Sequence, residues 1–215
     1  MKITKYPQSS MMLEVKGTKV LVDPGTIAYK DEYFDKWSEA DFIIITHKHP
    51  DHCHTEVLEK LGKKIYSSQE VQDANKSLSI SIVKENDVLE FDGFKIEVVH
   101  AIHGYQPLLK GDKEIHENIG YIVDDGDKRL YITSDTICFK NDYKADVIWA
   151  PVTGYGLTMS AFEASLFAKE AGASLLLPIH MDNPTFPPDF NFIEKMFAKY
   201  PVNYKIPVNE ETFEI

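Results

Sequence analysis

The sequence predicts a strand-rich α/β (α+β) fold, and its order of elements fits two sheets packed face to face with helices outside. Three observations support this fold class: turn residues separate short apolar runs, glycine turns join some of these runs in pairs, and helices follow only some strands. The chain has 215 residues without a long linker or a short-period repeat, so we expect a single domain over residues 1–215. Hydrophobic residues make up 43% of the chain, which is enough for a substantial buried core.

The first half of the chain is predicted to alternate strands with turns and two short helices. The predicted strands are residues 2–6, 11–15, 19–22, 42–46 and 63–67, and the predicted helices are residues 55–61 and 69–76. Residues 24–40 form a longer connection between two of these strands. Asp92-Gly93 then joins strands 88–91 and 94–102 as a hairpin, because this dipeptide suits tight hairpin turns.

The second half begins with another predicted hairpin, whose turn contains Asp124-Asp125-Gly126 between strands 118–123 and 129–133. A later helix is predicted to start at Ser160 and to close at Gly172, since serine favours helix starts and glycine favours helix ends. The remaining predicted elements are strands 146–150 and 175–179, a helix over 189–199, and strands 204–206 and 212–215.

The most informative segment is residues 46–54, which read Thr-His-Lys-His-Pro-Asp-His-Cys-His directly after an apolar run. Imidazole and carboxylate groups are ligands that zinc, iron, manganese and nickel accept. His47 and His49 alternate, so both point the same way on an extended segment. Because Pro50 turns the chain, Asp51 and His52 can face a second point in space. One short loop could therefore serve two metal ions.

The motif His-x-His-x-Asp-His at residues 47–52 resembles that of the metallo-β-lactamase superfamily. The later ligand positions of that family are matched, in the same order, by His103, Asp135 and His180, each after a β-like run. The resemblance extends from about residue 13 to residue 180, and within the superfamily it is nearest to lactonase-like metal-dependent hydrolases. It implies a four-layer αββα sandwich of two mixed β-sheets flanked by helices, with an internal duplication of two ββα halves.

The resemblance also implies a dinuclear centre of two divalent metal ions, zinc in the first place, with manganese, iron or nickel as alternatives. The implied ligands are His47, His49 and His103 for the first metal, Asp51, His52 and His180 for the second, and Asp135 as the bridge. Paired metals lie about 3.5–4 Å apart, so one hydroxide can span both and attack the substrate. Asp51 is the candidate catalytic residue, because it could orient that hydroxide or carry its proton.

Several neighbouring residues leave alternatives open. His100 and His103 both follow an apolar strand, and the Ala-Ile-His spacing favours His103 as the ligand. His54 is interpreted as a non-ligand, with a helix cap or a third site as alternatives, and Cys53 as a small buried residue. Asp23 is the candidate carboxylate that accepts the free N–H of a metal-bound imidazole, although a plain Asp-Pro-Gly turn would also explain it.

Loops at the same edge supply the candidate substrate contacts. Tyr105 begins the loop 105–109 after His103, and Tyr155 lies in a glycine-rich loop as the candidate contact to a developing oxyanion or to substrate. The other two candidates are His116 and Asn183. Ordinary loop packing is the alternative for each of them.

These residues predict an enzyme, namely a metal-dependent hydrolase whose metal-bridging hydroxide attacks an ester, lactone, amide or phosphodiester of a small molecule. The alternatives are a mononuclear iron oxygenase or other redox enzyme of the same superfamily, or a non-catalytic metal-binding protein. The formal net charge of −11 disfavours nucleic acid and anionic membranes as partners. The first residues do not read as a secretory signal, and no apolar run would span a bilayer, so we expect a cytoplasmic protein. The expected partner is a small-molecule substrate, and a homo-oligomer is left open.

Overall fold

A computed structural model describes residues 1–105 and 114–215 of the chain. Its strands are β1 (Lys2–Lys5), β2 (Met11–Val15), β3 (Thr18–Val22), β4 (Phe42–Ile44), β5 (Lys64–Ser67), β6 (Ile80–Ile82), β7 (Val88–Phe91), β8 (Phe94–His100), β9 (Ile119–Asp124), β10 (Arg129–Ile132), β11 (Val147–Pro151), β12 (Leu175–Ile179) and β13 (Thr212–Glu214). Its helices are α1 (Tyr33–Trp37), α2 (Thr55–Leu61), α3 (Gln69–Ala74), α4 (Ala161–Ala171) and α5 (Phe190–Lys199). None of these described helices is long and apolar enough to cross a membrane.

The strands form two mixed sheets, as the sequence predicts. The first sheet has the order β13-β1-β2-β3-β4-β5-β6, and the second has the order β12-β11-β10-β9-β8-β7. In the first sheet β1 to β3 are antiparallel, whereas β3 to β6 are parallel. In the second sheet β7 to β10 are antiparallel, whereas β10 to β12 are parallel. That residues 1–215 form a single domain stays a prediction.

Three apolar clusters hold the layers together. The central cluster joins the inner faces of the two sheets, with Ile44 from the first sheet and Trp149 from the second among its members. A second cluster packs α4 and α5 on the outer face of the second sheet, and a third packs α1, α2 and α3 on the outer face of the first. This arrangement is the αββα sandwich that the resemblance implies. Burying both sheet faces also explains why β4 and β12 read as continuous apolar runs.

Local signals set the ends of α4. The Ser160 side chain accepts a hydrogen bond from the Glu163 N–H, and the Glu163 carboxylate accepts one from the Ser160 N–H, so both donors are satisfied in a capping box. Gly172 ends the helix with a φ of 76°, a left-handed conformation that glycine adopts without steric cost. The predicted start at Ser160 and end at Gly172 are therefore the observed ones.

Three short regions differ from the sequence prediction, the first being α1, a five-residue helix inside the predicted connection 24–40. The predicted strand 204–206 is reduced to one isolated bridge between Tyr204 and Leu176. Pro201 and Pro207 flank it, and proline cannot donate the hydrogen bonds that would extend the pairing. Conversely, β6 is a strand that the sequence analysis did not predict, because its three residues pair only with β5 at the sheet edge and bury neither face fully.

Candidate metal centre

Seven side chains converge at one edge of the sandwich, where four strands lead into them. The strands β4, β8, β10 and β12 all run toward this edge, and the loops that leave them carry the predicted ligands. The side chains form two groups, the first group being His47, His49 and His103, and the second group being Asp51, His52, Asp135 and His180. Within each group one candidate ligand atom per residue lies within 4.8 Å of the others. The structure thus brings together all seven residues that the resemblance implies, while their metal ligation stays a prediction.

The first group consists of imidazoles alone. His47 Nε2 lies 3.1 Å from His49 Nδ1, and the ring of His103 lies 4.8 Å from that of His49 and 5.3 Å from that of His47. His103 Nδ1 lies 3.0 Å from the Gly104 carbonyl oxygen, which can only accept a hydrogen bond. Nδ1 therefore carries the proton, and Nε2 is left as the basic nitrogen that a metal ion needs.

Carboxylates and imidazoles meet in the second group. Asp135 Oδ2 lies 3.3 Å from His52 Nε2 and 3.0 Å from His180 Nε2. Asp51 Oδ2 lies 3.8 Å from His52 Nε2 and 3.4 Å from His180 Nε2. Among the described residues, His52 Nε2 and Asp135 Oδ1 are buried without a hydrogen-bond partner. Since buried polar atoms are normally satisfied, these orphaned ligand atoms fit a divalent cation held between them.

The electrostatics of the two groups differ. In the second group burial opposes a charge on His180, but the carboxylates of Asp135 and Asp51 outweigh it and raise its pKa to about 9. Burial also opposes the charge on Asp51, yet His52 and His180 lower its pKa to about 2. In the first group burial and the nearby charge of His52 lower the pKa of His47 well below its ordinary value. Without a metal, the second group holds protons that a cation would displace, whereas His47 is already neutral.

Asp23 orients two of the candidate ligands, His52 by a direct hydrogen bond and His47 through Thr46. Its Oδ2 accepts hydrogen bonds from His52 Nδ1 at 2.9 Å and from Thr46 Oγ1 at 2.8 Å, and its Oδ1 accepts one from the Thr46 N–H at 2.8 Å. Because the Thr46 hydroxyl proton goes to Asp23, Thr46 Oγ1 accepts from His47 Nδ1, 3.1 Å away. Both imidazoles then present Nε2 to the centre. Asp23 lies in the place expected from the sequence, whereas the role of Thr46 was missed.

A glycine lets the turn after β3 reach the ligand loop. A Cβ at Gly25 would lie 1.7 Å from the Asp51 carbonyl oxygen, so no other residue fits there without moving the backbone. The Thr26 N–H donates to the Pro50 carbonyl at 2.9 Å, and the His54 N–H donates to the Pro24 carbonyl at 2.8 Å. The turn and the ligand loop therefore hold each other in position.

Gln8 is a further residue of the site that sequence analysis missed. Its Nε2 donates to Asp51 Oδ2 at 3.4 Å, and its Oε1 accepts from the Asp182 N–H at 2.8 Å. Lys5 Nζ, buried and 3.2 Å from Asp182 Oδ2, extends this network away from the centre. A single glutamine after a proline carries no sequence signal for such a role, because only the tertiary fold places it beside Asp51.

The residues left open by the sequence lie outside both ligand groups. The His100 side chain is 47% exposed and lies 3.5 Å from Glu85, so the placement favours His103 as the third histidine. His54 is the N-cap residue of α2, and its ring packs edge-on against Tyr29 at 4.9 Å. Cys53 is buried, and burial raises the pKa of its thiol to about 12. A protonated thiol is a poor metal ligand, which agrees with the interpretation of Cys53 as a packing residue.

A cavity of about 490 Å³ opens above the two groups. Its lining residues include His49, Asp51, His103, Asp135 and His180, the predicted contacts Tyr105, Tyr155 and Asn183, and also Ile27, Gly104, Glu114, Ile115, Gly154, Gly156 and Leu157. Part of the predicted wall, residues 106–109, lies outside the described residues.

The predicted substrate contact His116 is not among the described lining residues of the cavity, and its role stays a prediction. The Glu70 carboxylate accepts hydrogen bonds from the N–H groups of His116 and Glu117 at 3.0 and 2.9 Å, and this anchoring leaves the His116 side chain 66% exposed. Glu114 and Ile115 line the cavity in its place.

Comparison with known proteins places the chain in a family. The family model described as a beta-lactamase superfamily domain matches residues 2–180. A protein of Nanoarchaeum equitans, named a UPF0173 metal-dependent hydrolase, is 27% identical over 189 residues, which cover 84% of this chain and 83% of that protein.

Two solved structures are also similar. Igni18, a metallo hydrolase from the hyperthermophilic archaeon Ignicoccus hospitalis, has a TM-score of 0.79 at 24% identity and covers 100% of this chain and 98% of its own. A metal-dependent hydrolase from Parabacteroides distasonis, described as putative, has a TM-score of 0.77 at 25% identity, covering 95% of this chain and 91% of its own. The predicted enzyme class is confirmed, because relatives such as the Nanoarchaeum equitans protein are named metal-dependent hydrolases. With the family model matched over residues 2–180, this chain belongs to the beta-lactamase superfamily.

Proposed function

We propose that this chain is a dinuclear metal-dependent hydrolase that cleaves an ester, lactone, amide or phosphodiester bond of a small molecule. The observation that carries the proposal is the pair of ligand groups on the floor of one cavity, with orphaned ligand atoms on His52 and Asp135. Two bound zinc ions would supply a water of lowered pKa as nucleophile and would polarise the bond that is attacked.

The chain's own residues would prepare and complete this reaction. His47, His52 and His103 each keep Nε2 basic, because Nδ1 of each faces a hydrogen-bond acceptor. Asp135 contacts both imidazoles of the second group, and its charge also acts on His47 of the first group, so it would be able to hold a metal ion together with residues of either group.

Asp51 is the proposed acid–base residue. It lines the cavity, and its carboxylate is held by the side chains of His180 and Gln8. In that position it can orient the attacking water and carry a proton to the leaving group. Tyr155 and Asn183 also line the cavity and are the proposed contacts to the substrate.

The first test is metal content and element identity on protein purified without chelator, together with hydrolysis before and after chelation. We expect about two equivalents of a divalent metal, loss of hydrolysis when the metals are removed, and recovery on adding zinc. Undiminished hydrolysis by metal-free protein would overturn the proposal. A single iron with oxygen consumption would instead support the iron oxygenase alternative.

Two histidines three residues apart make a matched pair of variants. His103→Ala removes a member of the first group, whereas His100→Ala removes an exposed imidazole outside both groups. The proposal expects His103→Ala to lose about one metal and most activity, and His100→Ala to keep both. The reverse result would show that the first group is wrongly assigned.

A further inference from the structure

The wall of the cavity differs in chemistry from its floor. The floor carries the ligand groups, whereas the wall exposes the apolar side chains of Ile27, Ile115 and Leu157. Among the described lining residues there is no lysine or arginine, and beyond the ligand groups Glu114 is the one charged side chain. Among the described residues, a substrate bound at the floor therefore meets these apolar side chains, the polar groups of Tyr105, Tyr155 and Asn183, and one negative charge.

Leu157 occupies this wall with an unfavourable backbone. Its φ is 61°, in the left-handed region where a Cβ is crowded and where glycine or asparagine is usual. Of the described non-glycine residues with positive φ, Leu157 is the one with a large apolar side chain. Backbone strain of this kind persists where the surroundings hold it, and it concentrates at functional sites.

The surroundings of Leu157 show what holds it. A Cβ at Gly104 would lie 2.2 Å from the Leu157 carbonyl oxygen, so the two backbones touch directly beside His103. The Thr158 hydroxyl donates to the Tyr155 carbonyl at 3.0 Å, and the Tyr155 ring stacks on Phe186 at 3.9 Å. The loop is thus braced on both sides, while the Leu157 side chain remains 37% exposed toward the cavity. The backbone of Leu157 is therefore fixed while its side chain stays open to the cavity.

We propose that Leu157 and Glu114 set the substrate specificity, and that the substrate is an uncharged acyl compound (an ester, lactone or amide) with an apolar substituent. This inference rests on the proposed hydrolase function and narrows it. Leu157 and the neighbouring isoleucines receive the apolar substituent, which gains by leaving water. Glu114 is the one charged residue of the described lining outside the ligand groups, so an anionic substituent directed toward this side of the cavity would lie next to a negative charge.

The reaction is an ordinary hydrolysis. The oxygen of water bonds to the acyl carbon, and the bond from that carbon to the leaving oxygen or nitrogen breaks with its electron pair. One proton of the water passes to the leaving group, so the products are a carboxylic acid and an alcohol or amine. No oxidant or further reactant is required.

The test uses matched substrates on the metal-loaded enzyme. p-Nitrophenyl butyrate and mono-p-nitrophenyl succinate share the leaving group and the acyl chain length but differ by a terminal carboxylate. Neutral and carboxylate-bearing lactones and anilides form further pairs. We expect kcat/KM to favour the neutral member of each pair by about tenfold or more. Equal or higher kcat/KM for the anionic members overturns the specificity, whereas no hydrolysis of any pair with both metals bound overturns the proposed function itself.

Two variants assign the effect to residues. Leu157→Gly removes the apolar contact and relieves the left-handed strain, so we expect KM for the neutral substrates to rise by about tenfold with no fall in the unfolding temperature. Glu114→Gln should raise the ratio of anionic to neutral kcat/KM by about fivefold.

Leu166→Ala is the matched control, since Leu166 is similarly exposed at 38% but lies on α4 outside the cavity lining. It should change neither KM nor the ratio. If Leu157→Gly lowers the unfolding temperature and leaves KM unchanged, Leu157 is a packing residue and the proposal is wrong.

Discussion

The two ligand groups lie side by side but are built differently. The first group consists of three imidazoles, of which His49 and His103 are only half-buried, and burial keeps the third, His47, neutral. The second group contains two carboxylates, and they keep protons on its two imidazoles. A cation can thus enter the first group without displacing a proton from His47, whereas in the second group it must replace protons. The comparison indicates that the second metal should be the one whose binding depends strongly on pH.

The largest expected effect comes from removing Asp135, the carboxylate that contacts both imidazoles of the second group. Asp135→Ala leaves buried, protonated imidazoles without their partner, so we expect loss of at least one metal and a fall in kcat/KM of about a thousandfold or more. Metal analysis and steady-state kinetics on one preparation measure both effects. If the variant hydrolyses as fast as the original protein with both metals bound, the bridging role of Asp135 is wrong.

The comparison between the groups is sharpened by deleting one histidine from each. His180→Ala should leave a metal in the first group whose affinity falls less steeply with decreasing pH, because burial keeps His47 neutral and no proton has to leave it. His103→Ala should leave a metal in the second group, where His180 has a pKa of about 9. Below that pH the metal-free imidazole holds a proton, so affinity should fall up to about tenfold for each unit of decreasing pH.

Metal titration of both variants at pH 6, 7 and 8 separates these expectations. Calorimetry in two buffers of different ionisation enthalpy would also count the protons released, and more should leave with the His103→Ala protein. The same pH dependence in both variants would remove the distinction between the groups.

A smaller effect is expected at Asp23, which supports His52 without belonging to either group. Asp23→Asn keeps the side-chain shape but weakens the acceptor for His52 Nδ1, so we expect the second metal to bind about 10–100-fold more weakly. Asp41→Asn is the control, because Asp41 lies just before β4 and accepts a hydrogen bond from the Lys19 N–H, away from the ligand groups. Equal losses in both variants would mean that Asp23 acts only through general stability.

Residues whose role is carried by local pattern could be predicted from the sequence. The histidine-rich loop, the order of His103, Asp135 and His180, and the ends of α4 are all visible along the chain. Asp23 could also be proposed from the sequence, because a ligand imidazole requires an acceptor and this carboxylate follows a strand that ends at the same edge; its role stays a prediction.

The remaining features depend on contacts between distant segments. Gln8 reaches Asp51 across 43 positions, and the Glu70 carboxylate reaches the His116 N–H across 46. The second of these contacts places His116 outside the described cavity lining, which the sequence alone did not indicate. The left-handed backbone of Leu157 was likewise not predictable, since leucine disfavours that conformation and the contact with Gly104 comes from a distant segment.

The smallest expected effect is at Glu70, which joins the first group to the cavity. Its carboxylate accepts from Lys48 Nζ at 2.8 Å, and Lys48 lies between two ligands of the first group. The same carboxylate anchors the segment that ends at Glu117 and begins with the lining residue Glu114. Glu70→Gln keeps the shape but removes the charge, so we expect KM to rise about two- to fivefold with both metals retained.

Glu56→Gln, at the corresponding first turn of α2, is the control for Glu70→Gln and should leave KM unchanged. If Glu70→Gln instead weakens the binding of the first metal at constant KM, the ion pair between Glu70 and Lys48 is the more important of the two contacts. Each group would then depend on a carboxylate outside it, Glu70 for the first group and Asp23 for the second. The two groups would differ in charge but not in how their side chains are held in position.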